Sequence, residues 1–301
     1  MQAQSPRSPY VGLWSRLEDF TRAKLDRALE RKRVTRSTLF RMTVHLVAAR
    51  LQPSFAAVTH AQWHKELLRE GVPLDELVER VERLAEDGTF TYKDLEAAAP
   101  ELAPRPFRVR SLTPLVHVPP SGTWDQLRIR LTTASRWLGA AEPPFEEAAK
   151  TLVRSYLRAF GPASRADLLR FSGLRVTAVD PALEALEHEL RRFEDESGRV
   201  LLDVPRAPLP DPETPAPVRF LPKWDALLLS HDDRSRVMTA EHQRLVIDGG
   251  DVDATFLVDG FVAGRWRYER GKVELEPFDP LPRRGRRELE DEAKRLAGFL
   301  V

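Results

Sequence analysis

The sequence predicts an α+β protein: tandem winged helix-turn-helix units followed by a C-terminal antiparallel β module, barrel-like, and a terminal helix. Three observations predict it. Amphipathic helical stretches recur along residues 15–190, each stopped by a glycine or a basic turn and leading towards a strand. The stretch VPRAPLPDPETPAP, residues 204–217, is proline-dense and ends that pattern. Beyond it, β-branched and aromatic residues alternate between turn signals at Gly249-Gly250, Asp259-Gly260 and Arg270-Gly271.

The elements follow in order. In SRLEDFTRAKLDRALE, Leu17, Phe20, Leu25 and Leu29 lie at helical spacing, and Thr21 can cap a helix that runs into the basic cluster RKRVTR. STLFRMTVHLVAAR reads as a strand, with Leu39, Met42, Val44 and Leu46 apolar and β-branched residues between. A segment of extended backbone is expected further upstream, because Ser5 precedes Pro6 and Ser8 precedes Pro9. Residues 61–88 carry two helical stretches broken at GVP; Leu74, Leu77, Val78, Val81 and Leu84 form one apolar face. After Thr89-Phe90-Thr91, KDLEAA is a short helix, and helix, glycine, turn, helix is the pattern of a helix-turn-helix. Leu115–Val118 then suits a strand and PPSG a turn, a second wing.

The pattern is clearest in residues 146–202. EEAAKTLVRSYLRAF is an amphipathic helix ended by Gly161-Pro162; Ser164 caps RADLLRFSG, which Gly173 stops. TAVDPALEALEHELRRF is a third helix, with Val179, Leu183, Leu186 and Leu190 on one face, and ESGRVLLDV a hairpin turn and strand. RLVIDGG and ATFLVDGFVAGRWRYERGKVELEPF supply the β module, and ELEDEAKRLAGFL a closing helix. The expected domains are a first winged helix over 1–58, a second over 59–142, a third over 143–205 and the β domain over 206–301.

Composition narrows the chemistry. At 301 residues the chain exceeds the usual size of one domain. It has no cysteine, which excludes disulfides, thiolate catalysis and cysteine-ligated metals. No apolar run approaches the roughly 20 residues of a membrane span, and no signal-peptide pattern opens the chain. A cytoplasmic, cofactor-free monomer without membrane contact is expected. Net charge is only +1, so no bulk positive excess points to nucleic acid. Most basic residues are arginine, which recognises phosphate bidentately and stacks on bases, although GC-rich coding gives the same bias.

Successive stretches carry a resemblance: QAQSPRSPYVGLWSRL, LFRMTVHLVAA, VHVPPSGTW, YLRAFGPASRADLLRFSGL, RFLPKWDALLLSHDDRSRV and FVAGRWRYERGKVELEPF. In order and over essentially the whole chain, they resemble the bacterial tandem winged-helix family that includes the AlkZ and YcaQ DNA glycosylases. The resemblance implies three winged helices, a C-terminal β domain and a basic concave surface that takes double-stranded DNA. It also implies a catalytic signature of glutamine, an apolar residue, then glutamine or aspartate. Here that signature is Gln2-Ala3-Gln4, the AlkZ-like form. Relatives carry helices ahead of it, whereas only Met1 precedes it here, so the first winged helix is expected to be N-terminally truncated. The implied activity is monofunctional removal of N7-alkylated purines, with alkylated or crosslinked DNA as partner and nucleoid-associated in location. The alternative is a non-catalytic DNA-binding protein or regulator.

Glutamine suffices only for undemanding chemistry, because its amide hydrogen-bonds but does not exchange protons near neutral pH. An N7-alkylguanine is already cationic and leaves as a neutral base, so no general acid is required. In an extended segment Gln2 and Gln4 point to one side and would present their amides together. Other candidates each have two readings. Arg31, Lys32, Arg33 and Arg36 grip phosphates at a wing, or merely favour a helix C-terminus; Arg165, Arg170 and Arg175 flank the third helix-turn-helix. Thr43 and His45 match a T-x-H element associated with the family and either line a lesion pocket or are structural. His60 and His64 lack the glutamate of a zinc-binding H-E-x-x-H, so no metal site is expected. Asp225, Asp232, Asp233 and Arg234 supply a catalytic Asp or, the better reading, hydrogen-bonding groups at a domain junction, and the tip Trp266-Arg267-Tyr268 enters a DNA groove or, the better reading for Trp266, packs in the core.

Overall fold

The computed structural model describes residues 1–126 and 128–301. Its contacts divide the chain into two compact units, one of residues 1–7 and 21–207, the other of residues 8–20 and 208–301. Helix α1 (Ser8–Trp14) belongs to the second. This corrects the expectation of extended backbone from Ser5 to Pro9: Pro9 sits in the first turn of a helix, where its missing N–H is harmless.

In the first unit, α2 (Arg22–Glu30) buries Leu25 and Leu29, as its spacing predicts. The stretch read as one strand is two, β1 (Val34–Thr38) and β2 (Val44–Ala48), paired antiparallel with Ser37 opposite His45. The reversal at Phe40–Met42 is made by Arg41 and Met42 at φ of 54° and 59°. Neither residue type signals a left-handed turn, so the hairpin was invisible in the sequence. Helix α3 (Gln52–Arg69) precedes α4 (Leu74–Glu86), broken from it at GVP, and α5 (Tyr92–Ala98) starts with a reciprocal Thr91–Asp94 capping box. Strands β3 (Leu115–His117) and β4 (Leu131–Thr133) complete a sheet of order β2-β1-β3-β4, followed by the short α6 (Ala134–Leu138).

Helices α7 (Phe145–Phe160), α8 (Arg165–Ser172) and α9 (Val176–Ala185) follow; Ser164 and Asp167 cap α8 and Gly173 ends it at φ 68°. The third helix is shorter than predicted. Arg191, Arg192 and Phe193 belong to β5 (Arg191–Glu194), which pairs with β6 (Val200–Asp203), and strand pairing overrides their helical pattern. Leu152, Tyr156, Val179 and Leu186 share one buried core with Phe40, Val47 and Phe55, which joins the β1–β2 hairpin to these helices.

In the second unit, β7 (Arg219–Leu221) leads to α10 (Ala226–Leu229) and α11 (Ala240–Val246). Arg244, Leu245 and Val246, read as strand, are therefore helical, capped by Thr239; only β8 (Ile247–Asp248) and β9 (Asp251–Val252) form the expected small hairpin. Strands β10 (Thr255–Val258), β11 (Phe261–Glu269) and β12 (Lys272–Pro277) fall where alternation places them. They form an open antiparallel sheet, β12-β11-β10-β7, rather than a closed barrel. The three-residue β7 lies at one edge, and α12 (Arg283–Leu300) packs on β12 at the other. No helix among the described residues is long and apolar enough to cross a membrane.

Candidate active site and nucleic-acid interface

Residues 1–3 extend the first unit's sheet along the edge of β2. Ala3 N–H donates to Val44 O (2.7 Å), Leu46 N–H donates to Met1 O (2.9 Å), and Gln2 lies opposite His45. Ala3 is fully buried, so the small apolar residue between the glutamines anchors the segment. Gln2 is left half-buried and Gln4 exposed. The chain bends at Ser5.

The two amides have different partners. Gln2 Oε1 accepts a long hydrogen bond from Arg41 Nη2 (3.4 Å), and opposed residues share a face, which places Gln2 beside His45. Gln4 Oε1 accepts from Val44 N–H (3.1 Å). That bond takes the place of a ladder rung from Val44 N–H to Ala3 O, and Ala3 O accepts from the Arg36 guanidinium. Each amide oxygen retains a second lone pair.

Arg41 is a functional candidate that the sequence did not signal. Its backbone is left-handed, its guanidinium lies 5.9 Å over the Phe171 ring, and its Nη1 is buried without a partner. Burial, then the charge of Arg170, lower its pKa to about 10. Gly173 makes room for it: a Cβ there would stand 2.8 Å from Arg41 Cγ. His45 is buried and stacks edge-to-face on Phe40 at 5.5 Å. Its Nδ1–H donates to Thr43 O (3.0 Å), while Thr43 Oγ1 donates to Phe40 O (3.1 Å). Burial first, then positive charge at Met1 and Arg41, hold the His45 pKa well below its ordinary value. It is a neutral imidazole with a fixed tautomer, supporting the strand that carries Gln2.

Gln4 also lines a cavity of about 340 Å³ with Arg36, Tyr92, Arg110, His117 and Gln126. Among the described residues no carboxylate lines it.

The chain matches the model of the family described as DNA glycosylase AlkZ-like over residues 1–299. The chain belongs to the AlkZ-like DNA glycosylase family. Among solved structures it is similar to the Streptomyces sahachiroi DNA glycosylase AlkZ, with a TM-score of 0.80 and 20% identity, covering 99% of this chain and 88% of that one. At that identity the likeness speaks for the fold. No curated protein sequence matches the chain.

In this glycosylase the basic candidates separate by partner. Arg31 and Arg33 are exposed at the end of α2 and meet no carboxylate among the described residues. Lys32 lies 4.1 Å over the Trp137 ring and donates to Trp137 O (2.6 Å). Arg36 stands apart from this cluster: it is buried in β1 and donates to the carbonyls of Gly122 and Ala3. Arg165 is paired with Asp180 (2.5 Å) and Arg175 with Glu66 (2.8 Å), whereas Arg170 is exposed and faces Arg41 without a carboxylate.

The remaining candidates are held structurally. His60 Nδ1–H donates to Ala56 O and His64 Nε2–H to Ser111 O and Leu112 O, all at 3.0 Å. In the second unit Asp225 is buried, receives both nitrogens of Arg16 (2.9 and 2.6 Å) and caps α10 through Leu227 N–H. Asp233 accepts from Ser235 N–H (2.9 Å), and Arg234 is buried with Nε on Leu228 O (2.7 Å). Trp266 donates to Leu221 O (2.9 Å) and packs on Phe220, while the neighbouring Arg267 is exposed and paired with Glu274.

Proposed function

We propose that this glycosylase is monofunctional and hydrolyses the N-glycosidic bond of N7-alkylated purines, crosslinked guanines included, with Gln2 and Gln4 as catalytic residues. It acts as a monomer on nucleoid DNA in the cytoplasm, its first unit serving as tandem winged helices. The observation that carries this reading is a pair of amides fixed at one sheet edge with no carboxylate as partner among the described residues.

An alkylated purine suits that equipment. The C1′–N9 bond breaks with its electron pair moving into the cationic ring, so the base departs neutral. Water oxygen bonds to C1′ and releases a proton to solvent. No group on the enzyme has to titrate. The second lone pair on each amide oxygen can hold the water and offset charge developing on the sugar. An unalkylated purine would leave as an anion and needs an acid, and no carboxylate among the described residues lines the cavity beside Gln4, so selectivity lies in the leaving group. Because the bond is already activated, a snug pocket for a flipped base is unnecessary, which accommodates bulky crosslinks.

The test is a duplex containing one 7-methylguanine, incubated with protein and then cleaved with alkali at abasic sites. Strand breaks are expected with the wild type and strong suppression with Gln2→Ala and Gln4→Ala, both retaining affinity for the duplex. Retention of 7-methylguanine by folded wild-type protein would sink the reading.

A further inference from the structure

Tyr92 Oη and His117 Nε2 are both buried and have no hydrogen-bond partner. Both side chains line the 340 Å³ cavity beside Gln4, and His117 is 6% exposed. Buried polar groups without partners are uncommon in native proteins and call for an explanation. Two of them lining one cavity point to a ligand.

The lining chemistry says which kind. Ser121 Oγ accepts Arg130 N–H (3.0 Å) and shares a hydrogen bond with His117 Nδ1 (3.1 Å). An anion would select the tautomer in which Ser121 donates to Nδ1 and Nε2 carries the ring proton. Burial, then the charges of Arg36 and Arg110, hold the His117 pKa at about 3, so the ring stays neutral. Arg110 lies 4.0 Å over the Tyr92 ring and meets no carboxylate among the described residues. Arg36 is fixed beneath by two backbone carbonyls, and any side chain at Gly122, whose φ is 84°, would collide with it. The cavity is thus lined by a tyrosine and a histidine that each hold an unpartnered polar atom, an unpaired guanidinium and the Gln4 amide, with no carboxylate among the described lining residues.

We infer that this cavity is an oxyanion subsite that seats one phosphodiester of the DNA strand beside Gln4. The choice of DNA as the source rests on the proposed glycosylase reading; the oxyanion chemistry does not. A phosphate held by Tyr92, Arg110 and His117 places the attached sugar next to the Gln4 amide, so Tyr92, Arg110 and His117 act as positioning residues.

The experiment measures binding, independently of base release. Duplexes carrying a 7-methylguanine are prepared with one phosphodiester at a time replaced by a neutral methylphosphonate, and affinities are compared for wild type, Tyr92→Phe and Arg110→Gln. For wild type, one position near the lesion is expected to cost about tenfold in affinity, the worth of a charge-assisted bond. Both variants are expected to bind several-fold more weakly and to lose less than wild type does at that position, Arg110→Gln showing the smaller residual loss. Tyr92→Phe removes only an unpartnered hydroxyl, so its Tm is expected to be unchanged or higher, which separates lost binding from misfolding. Variants that respond to every substitution as wild type does would overturn the inference. So would inorganic phosphate raising the wild-type Tm, but not that of Arg110→Gln, while no phosphodiester position is special; the cavity would then take a free anion. Should base release fail while the phosphodiester dependence holds, only the proposed reaction falls.

Discussion

Arg41 shows how one residue can organise the candidate site. Its positive φ turns β1 back into β2, its side chain lies over Phe171, and its guanidinium reaches Gln2. A 3.4 Å bond is weak, so its value is in positioning Gln2. Arg41→Ala is therefore expected to lower the single-turnover rate of 7-methylguanine release roughly tenfold while affinity for undamaged duplex changes much less. A parallel loss of both would reduce Arg41 to a DNA contact. Gly173→Ala attacks the same arrangement from α8. It places a Cβ in left-handed backbone and against Arg41, so it should cost about 1–2 kcal/mol in urea unfolding and also slow release. Gly173 was legible as a helix stop, because glycine after an apolar turn has that meaning in any sequence. The role of Arg41 was not, since Phe171 and Gln2 come to it only through the fold.

Elements were legible where the signal is local. The capping boxes Thr91–Asp94 and Ser164–Asp167, the break at GVP and the β10–β12 turns all lie within a few residues of what they specify. Elements failed where pairing with a distant strand decides, as at the β1–β2 reversal and at residues 191–194, which look helical but join β6. Of the candidate site, Gln2 and Gln4 were proposed through resemblance, whereas the cavity gathers Tyr92, Arg110 and His117 from separate parts of the chain. The Ser164 cap permits a direct test. Ser164→Ala removes the acceptor for Asp167 N–H and leaves the buried Asp167 with one donor fewer, at a cost of about 1 kcal/mol in urea denaturation. Thr91→Ala, in a more exposed box, should cost the same or less. Equal insensitivity at both sites would mean that tertiary packing alone sets these helix starts.

At the scale of the molecule, a net charge of +1 conceals both an unequal pairing of arginines and a concentration of buried histidines in one unit. Arg31, Arg33 and Arg170 have no carboxylate among the described residues, while Arg165 and Arg175 do, so changing the first set to alanine should flatten the salt dependence of DNA binding by about one unit of slope per contact. Alanine at Arg165 or Arg175 should flatten it less. The histidines set the acid limit of the first unit. His45, His60 and His117 are all buried there with lowered pKa values, His60 at about 4 and His117 at about 3, burial being the first cause in each. Each is neutral when folded, yet takes up a proton near pH 6.5 when unfolded. Between those values the unfolded chain binds more protons, so stability rises with pH: it is complete above about 6.5 and falls as the medium is acidified towards 4. Each histidine contributes at most about 1.4 kcal/mol per pH unit within that window, hence at most about 4 kcal/mol per unit for the three. Urea unfolding of the full chain at a series of pH values should show this slope in the transition of the first unit. His60→Gln should remove about a third of it while lowering stability at neutral pH. In the proposed reaction no side chain titrates, so base release should stay flat from neutral to mildly alkaline pH. A bell-shaped rate profile there would place a titrating acid or base in the reaction and leave the two amides as bystanders.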